Sequence, residues 1–189
     1  SKAQMLGLAN AGGDTINAMK AAKEFGITKT MKVAGLLVFI NDVHALGLPA
    51  AQGLVLTESF YWDLNDRTRA FTKRVLPKTG GVHPAMSHAG CYAGALHYLK
   101  ACAAMGAADA KKSGAETIAR MKSMPTDDDA FGAGTIRADG RKIHPAYLFE
   151  VKRPADSRSE WDLYTVAAKL GPDEAWRPMA EGGCPLVKA

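Results

Sequence analysis

The stretch that decides the fold is Val33-Ala-Gly-Leu-Leu-Val-Phe-Ile40, which lies between two shorter apolar runs, Met5-Leu-Gly-Leu8 and Leu54-Val-Leu56. Amphipathic, helix-like sequence separates the three runs. An order of strand, helix, strand, short helix and strand is typical of a parallel α/β layer. Open sheets of this kind bind ligands in the loops at the carboxyl ends of their strands, so the segments that follow these runs are the first candidates for a site.

The chain changes character after Asp63. The sequence from Leu64 to Met105 is predicted to be largely helical, and strand character returns only at Tyr147 to Val151. A parallel sheet that stops, is followed by helices and resumes later is typical of a chain that passes between two lobes. We therefore expect parts of two lobes rather than one continuous layer.

The first strand ends in a glycine-containing loop, Asn10-Ala-Gly-Gly13. A helix is predicted from Ile16 to Phe25, with Asp14 or Thr15 as its N-cap and a glycine as its C-terminal stop. Glycines in such a loop let a ligand approach backbone amides. However, the glycine pair does not complete G-x-G-x-x-G, and the P-loop pattern with its lysine is absent, so the loop does not indicate nucleotide binding.

The second and third strands are predicted at Met31 to about Val38 and at Gly53 to Thr57, and Asn41-Asp42 is expected to cap a short helix through Leu46. The third strand runs into three consecutive aromatic residues, Phe60-Tyr-Trp62. Two interpretations remain open for this triplet. It is either ordinary core or the wall of a cleft, where rigid rings bury much area at small entropic cost.

Composition excludes several classes of protein. The chain has 189 residues, 47% of them hydrophobic and 23% charged, which is ordinary for globular domains. Its longest apolar run is far shorter than the roughly 20 residues of a membrane-spanning helix. The net charge is +5, but the basic residues are dispersed among acids and no nucleic-acid recognition motif occurs, so no nucleic-acid partner is expected.

The three cysteines do not indicate a metal site. Cys91 and Cys102 lie in a predicted helix, Ser87 to Met105, and are about 16 Å apart along its axis, so they cannot pair. Both are predicted to be small buried side chains. Cys184 lies in a turn-rich tail and is the better disulfide candidate, with no partner identified. Because no CxxC and no Cys/His cluster at zinc spacing occurs, neither a metal nor another cofactor is expected.

Other polar residues lack a catalytic pattern. There is no Gly-x-Ser-x-Gly and no His-Glu-x-x-His sequence. Each lone histidine is therefore predicted to be a capping or surface residue: His83, His88, His97 and His144. Asp127 to Asp129 are predicted to form a solvated loop or helix cap rather than a metal site. Arg137 to Arg141 is predicted to be a hairpin turn, since Asp139-Gly140 supplies positive φ angles.

Five segments together resemble one known family: Gly7-Leu-Ala-Asn-Ala-Gly-Gly-Asp-Thr15, Gly53 to Leu56, Ser59 to Asp63, Ala89 to Tyr92 with Leu96 and Leu99, and Tyr147 to Val151. These resemble the substrate-binding proteins of branched-chain amino acid type ABC transporters, the type I periplasmic binding proteins. The resemblance implies an α/β fold with Rossmann-like parallel sheets, flanking helices and two lobes joined by three hinge crossings. It runs from about Ala3 to Lys188 and covers only the carboxyl-terminal half of such a protein.

The resemblance also implies an organisation. Residues 1–56 would belong to the carboxyl-terminal lobe, 57–62 to a hinge approach, 63–130 to the amino-terminal lobe, and 131–189 to a further crossing and the return to the carboxyl-terminal lobe. The family binds a small molecule between its lobes and presents the closed form to membrane permease subunits in the periplasm, without catalysis. The missing partner would be the amino-terminal half of the same protein, preceded by a signal peptide, or a swapped partner chain.

Site residues follow from the same resemblance. Asn10, Ala11 and Gly12 occupy the family's cleft-facing loop after the first strand. Amino-acid-binding members carry a Glu for the ligand ammonium after the second strand, whereas Leu37 and Phe39 stand in this region here. A buried ammonium without a carboxylate partner is strongly penalised, so the expected ligand is a hydrophobic or aromatic carboxylate.

The other residues expected to contact the ligand are aromatic: Tyr61, Trp62 and His88. Two further functions remain open. A ligand-sensing receptor or regulator built on the same fold would share all of these motifs. A small Rossmann-like enzyme would explain the first strands, but it needs a nucleotide loop or an acid/base pair that the sequence does not contain.

Overall fold

Three short parallel strands begin the chain in the computed structural model, which describes residues 2–185 and 187. They are β1 (Met5–Leu8), β2 (Lys32–Gly35) and β3 (Val55–Glu58). β1 pairs with β2 and β2 with β3 in parallel, whereas β7 (Ala146–Val151) runs antiparallel to β3. With β8 (Tyr164–Leu170) they form a five-stranded sheet in the order β1-β2-β3-β7-β8.

Four helices connect or follow the first strands: α1 (Gly13–Glu24), α2 (Ile40–Leu46), α3 (Leu48–Ala51) and α4 (Asp66–Val75). Asn65 caps the amino-terminus of helix α4. Its side chain accepts the Thr68 N–H at 3.1 Å, and its own N–H donates to the Thr68 hydroxyl. Single 3₁₀ turns lie at Ile27–Lys29, Leu76–Lys78, Pro154–Asp156 and Met179–Gly182.

The remaining elements are α5 (Met86–Met105), α6 (Ala107–Ala110), α7 (Gly114–Ser123), β4 (Thr126–Asp128), β5 (Gly132–Ile136), β6 (Lys142–Ile143) and α8 (Pro172–Ala175). β4, β5 and β6 form an antiparallel three-stranded sheet. The predicted turn at Arg137 to Arg141 joins β5 to β6, and Gly140 has φ 85°, which confirms the hairpin prediction. The helix expected from Ser87 to Met105 is confirmed by α5.

The chain divides into two compact units. The first comprises residues up to Met86 together with Ala146–Lys169, and the second comprises Ser87–Pro145 with the residues from Leu170 onward. The core of the first unit lies on its sheet and includes Leu54, Leu56 and Phe149, each no more than 1% exposed. The lobe boundaries expected from the sequence stay predictions. Ser1, Leu186, Lys188 and Ala189, which those ranges include, lie outside the described residues.

The fold class expected from the sequence, a parallel-containing α/β sheet with flanking helices, is confirmed. The second strand, however, is shorter than predicted. It ends at Gly35, where the chain folds back so tightly that a Cβ on this residue would lie 2.3 Å from Val38 Cγ2. The expected N-cap of α1 was also wrong. Helix α1 begins at Gly13 after Gly12, and neither Asp14 nor Thr15 caps it.

Several polar residues predicted to be on the surface are buried. Asp128, expected in a solvated loop, ends strand β4 and is 8% exposed, because its carboxylate accepts the Ala130 and Phe131 N–H groups and pairs with Lys142. His97 and His144 are also buried, at 4% and 7% exposure, so neither is a surface residue. His97 Nε2 lies 2.8 Å from the Met121 carbonyl oxygen in the last turn of α7, which fits the capping alternative.

Two cysteines that were predicted to be buried are partly or fully exposed. Cys91 is exposed and Cys102 half-buried, because α5 buries only a narrow stripe through Ala89, Ala93 and Ala101. Cys184 is a half-buried free thiol.

The helical region expected from Leu64 to Met105 is interrupted. Between α4 and α5 lie a 3₁₀ turn at Leu76–Lys78 and an irregular segment, in which Gly80 and Gly81 have positive φ angles that break the helix. Within residues 2–185 and 187, no helix combines the length and apolar character needed to cross a membrane.

Candidate functional site

The candidate site lies at the carboxyl ends of β1, β2 and β3. Because these strands are parallel and adjacent, the segments that follow them emerge at one edge of the sheet. The loop after β2 is held against the end of β1, since the Leu36 N–H donates to the Leu8 carbonyl oxygen at 3.0 Å. The structure thus brings together the loops that contain two groups of predicted site residues, those after β1 and those after β2.

The loop after β1 is a turn held by side-chain hydrogen bonds. The Thr15 hydroxyl is buried and donates to Asn10 Oδ1 at 2.9 Å, while Asn10 Nδ2 donates to the Asp14 carbonyl oxygen at 3.4 Å. Gly12 has φ 56°, a conformation that favours glycine, and Ala11 is exposed. Since α1 begins at this loop, its first-turn amides lie at the same edge of the sheet.

The loop after β2 presents an apolar surface. Leu36 is 69% exposed and Leu37 47% exposed, whereas Phe39 is half-buried against the core. The Phe39 N–H donates to Asp42 Oδ2 at 2.9 Å, so the nearest acid that follows in the chain is engaged at the start of α2. The exposed part of this loop therefore offers alkyl side chains rather than charge.

Of the aromatic triplet after β3, the first two residues are core. Phe60 is 1% exposed and packs edge-on against Phe71. Tyr61 is 4% exposed, and its hydroxyl donates to the Trp161 carbonyl oxygen at 3.3 Å and accepts the Leu163 N–H at 3.2 Å. Burial raises the pKa of Tyr61, which keeps this hydroxyl protonated. The core interpretation therefore fits Phe60 and Tyr61.

Trp62 is different because it is half-buried. Its indole Nε1 donates to the Trp161 carbonyl oxygen at 2.7 Å, so the only polar atom of the side chain is already bonded. What Trp62 can offer a ligand is ring surface, which suits stacking on an apolar or aromatic group.

Trp62 belongs to a column of four rings that the sequence did not indicate, together with His44, His83 and Trp161. His44 stacks on Trp161 with ring centroids 3.9 Å apart, and His83 stacks on Trp161 at 4.8 Å. The same His83 ring meets Trp62 edge-on at 4.9 Å. The four residues come from four separate segments of the chain, and only the folded structure brings them together.

A buried acid ends β3 at the same edge. Glu58 is 1% exposed, accepts the Tyr164 hydroxyl at 3.1 Å and accepts the Met86 N–H at 3.3 Å. Burial raises the pKa of Glu58 to about 8, and the nearby Asp42 adds to the effect. At neutral pH this side chain is mainly a neutral carboxylic acid. Because it is buried and its raised pKa favours the neutral form, it is a poor counterion for a ligand ammonium.

The last predicted site residue, His88, lies in the other unit. It stands in the first turn of α5 and is exposed. Among residues 2–185 and 187, no group of three or more His, Cys, Asp and Glu side chains is arranged to hold a metal ion. The roles of Asn10, Ala11, Gly12, Leu37, Phe39, Tyr61, Trp62 and His88 in ligand binding stay predictions.

Comparison with known proteins identifies the family. A periplasmic binding protein family model matches residues 1–158. A solved periplasmic binding protein from Burkholderia mallei is 50% identical and has a TM-score of 0.89, covering 99% of this chain and 48% of its own. A branched-chain amino acid ABC transporter periplasmic ligand-binding protein from Burkholderia xenovorans is 40% identical, with a TM-score of 0.84, and covers 98% of this chain and 48% of its own.

A more distant structure shows the fold alone. It is a solute-binding protein of an ABC transporter from Rhodopseudomonas palustris in complex with p-hydroxybenzoic acid, 22% identical, with a TM-score of 0.70, covering 89% of this chain and 45% of its own. No curated protein matches the chain. The chain thus spans about half the length of the solved relatives.

These matches confirm the resemblance found in the sequence. They also confirm the expectation of a protein other than an enzyme, since the family and the two closely similar structures are periplasmic binding proteins. The α/β topology and the sequence match agree: the chain belongs to the periplasmic binding protein family.

Proposed function

We propose that the intact protein is the periplasmic solute-binding component of an ABC importer, and that it binds a small hydrophobic or aromatic carboxylate between two lobes for delivery to the permease. The Burkholderia relatives, described as a periplasmic binding protein and as an ABC transporter ligand-binding protein, support the general role. The ligand class rests on one observation, the exposed, uncharged loop after β2.

The argument for the ligand class is electrostatic. A free α-amino acid brings an ammonium group that needs a carboxylate once it leaves water. Leu36 and Leu37 are exposed at this edge, Asp42 is bonded to the Phe39 N–H, and Glu58 is buried with a raised pKa. An apolar ligand body fits these side chains better than an ammonium does.

The opposite end of such a ligand is an anion. The first-turn amides of α1 and the turn at Asn10 and Gly12 lie at the same edge, and helix amino-termini favour negative charge. The p-hydroxybenzoic acid complex of the distant relative is consistent with this ligand class, although that similarity concerns only the fold.

The experiment is a thermal unfolding series on the intact protein. A ligand that binds only the folded state stabilises it by about 2.7 kcal/mol at one hundred times its Kd. We expect benzoate or p-hydroxybenzoate to raise the Tm, and leucine or glutamate to leave it unchanged. A leucine shift equal to the best aromatic acid contradicts the proposed ligand class.

A charge variant locates the site. Leu37→Glu should abolish the Tm shift with p-hydroxybenzoate, because it places a charged carboxylate against the apolar body of the ligand. The matched control is Met5→Glu, since Met5 is a 58% exposed apolar residue at the start of β1, away from the carboxyl edge. If Leu37→Glu retains the full shift, the loop after β2 does not contact the ligand.

A sensor on the same fold remains the second candidate, because it would share this site. Pull-down of permease subunits from detergent-solubilised membranes, with ligand present, separates transport from sensing.

A further inference from the structure

We infer that His83 is a positioning residue: together with Trp161 and His44 it holds the Trp62 ring in the orientation in which Trp62 meets the ligand. This inference rests on the proposed function for the role of Trp62, whereas the ring column itself is a property of the structure. His83 need not touch the ligand. It acts on binding by fixing the orientation of the Trp62 ring, which its own ring contacts edge-on.

The contacts of Trp62 show what fixes it. One restraint is the hydrogen bond from Nε1 to the Trp161 carbonyl oxygen at 2.7 Å, which fixes a single point at the edge of the indole. Rotation about that point is limited by a second contact, the edge-on approach of His83 at 4.9 Å with an interplanar angle of 74°. Edge-to-face geometry is a preferred arrangement of aromatic pairs, so the His83 plane defines the Trp62 plane.

His83 is itself held from two sides. Its carbonyl oxygen accepts Asn41 Nδ2 at 3.2 Å, which ties the backbone to the start of α2. Its ring lies on Trp161 with an interplanar angle of 16°.

Trp161 completes the support. It is 9% exposed and belongs to the core, and His44 stacks on it at 3.9 Å with the two planes 2° apart. His44 Nε2 lies 2.7 Å from Glu160 Oε1, so a neighbour of Trp161 in the chain orients the histidine. The column therefore runs from the exposed hydrogen bond between His44 and Glu160 through the core to the half-buried Trp62.

A backbone hydrogen bond with Gly81 acts on the His83 ring, so the role of its nitrogens must be tested separately from the role of its ring plane. His83 Nδ1 is buried and has no hydrogen-bond partner, which is costly for a polar atom. Burial also lowers the pKa of His83, so the ring is neutral near pH 7. If the plane of the His83 ring is what holds Trp62, a flat ring without polar atoms should replace His83, and this gives a matched pair of variants.

The pair is His83→Phe and His83→Leu, both apolar and both lacking the nitrogens, of which only the first keeps a flat ring. With p-hydroxybenzoate as the probe, we expect His83→Leu to weaken the Kd by about tenfold, in the range of truncated contact residues, and His83→Phe to bind as the wild type does. Trp62→Ala is measured beside them, and His97→Ala, a buried histidine outside the column, controls for lost stability.

These measurements separate two failures. If Trp62→Ala weakens binding but His83→Leu does not, the positioning role is overturned and the proposed function stands. If both His83 variants weaken binding equally, the nitrogens and not the ring plane matter, and the inference is also overturned. If Trp62→Ala binds as the wild type does, the placement of Trp62 in the ligand site fails.

A second measurement needs no ligand. The indole N–H proton of Trp62, assigned by its loss in Trp62→Phe, reports the hydrogen bond to Trp161 in the NMR spectrum. We expect its resonance to shift in His83→Leu and to return in His83→Phe. An unchanged resonance in His83→Leu overturns the inference even where the probe does not bind.

Discussion

At the scale of single residues, Glu58 is a carboxyl group almost fully removed from water, at 1% exposure. Its carboxyl group is enclosed by β3, by Tyr164 on β8 and by the backbone amides of Met86 and Ile40. The hydroxyl and the amides stabilise the charged form, but burial opposes it more strongly, so the pKa rises from 4.5 to about 8. The folded protein therefore binds a proton that the unfolded chain releases.

This proton makes stability depend on pH. Between pH 4.5 and about 8 the folded state binds more protons at Glu58 than the unfolded state does, so the free energy of unfolding falls as pH rises through this window. Glu58→Gln removes the titration and keeps a polar group of the same size. We expect the slope of stability against pH to flatten in the variant, measured by urea unfolding from pH 5 to 8.5. Glu24→Gln, at an exposed position on α1, is the control. Equal slopes in Glu58→Gln and the wild type would refute the assignment.

The sequence predicted single residues unevenly. Asn10 and Gly12 were placed correctly at a turn between strand and helix, because glycine and asparagine favour such turns. The ring column was not predictable, since His44, Trp62, His83 and Trp161 are far apart in the chain and no spacing links them. Asp128 was misjudged for a related reason, because its partner Lys142 lies fourteen residues away on another strand.

At the scale of elements, the contact between β3 and β7 is the centre of the first unit. Leu56 pairs with Phe149 in the antiparallel register, and both side chains are almost fully buried. Phe149 also packs against the rings of Tyr61 and Tyr164, at centroid distances of 5.6 and 5.2 Å. The strand that returns late in the chain therefore completes the core that the first three strands begin.

Phe149→Ala should lower the free energy of unfolding by about 3–5 kcal/mol, because a fully buried aromatic side chain leaves a cavity on a rigid sheet. The matched control is Val166→Ala on β8, where the side chain is 46% exposed and the cost should stay within about 0.5 kcal/mol. Chemical denaturation measures both. A loss below about 1 kcal/mol for Phe149→Ala would show that this strand pair is not the core.

Elements were predicted well where the pattern was local. β1 was predicted at its observed bounds, and the helix after it was predicted three residues late at its start, since the tight Gly12 turn allows α1 to begin earlier than a side-chain cap would. The second strand was predicted too long, because Leu36, Leu37 and Val38 continue the apolar run. What ends the strand is the fold-back at Gly35, which hydrophobicity does not encode.

At the scale of the molecule, the chain corresponds to about half of each solved relative, 48% of the two Burkholderia proteins. Its exposed large apolar residues occur in both units. They include Leu36 after β2, Phe25 after α1, and Tyr98 and Leu99 on α5, at 69%, 79%, 45% and 61% exposure. Single exposed apolar residues are ordinary, but contiguous ones favour association, and the exposed neighbours Leu36 with Leu37 and Tyr98 with Leu99 are the candidates for such patches.

We therefore expect a chain of residues 1–189 alone to associate, either with the remaining half of a two-lobed protein or with copies of itself. β1 lies at one end of the five-strand order, so its outer edge can pair with another strand, and α5 exposes Tyr98 and Leu99 on one helix.

Light scattering at increasing concentration measures the mass, and co-expression with the remaining half should restore a monodisperse complex. Leu99→Lys on α5 should reduce self-association, whereas Lys100→Arg, at the next position and already charged, should not. A monodisperse monomer with one cooperative unfolding transition would show instead that the two units need no further chain to cover them.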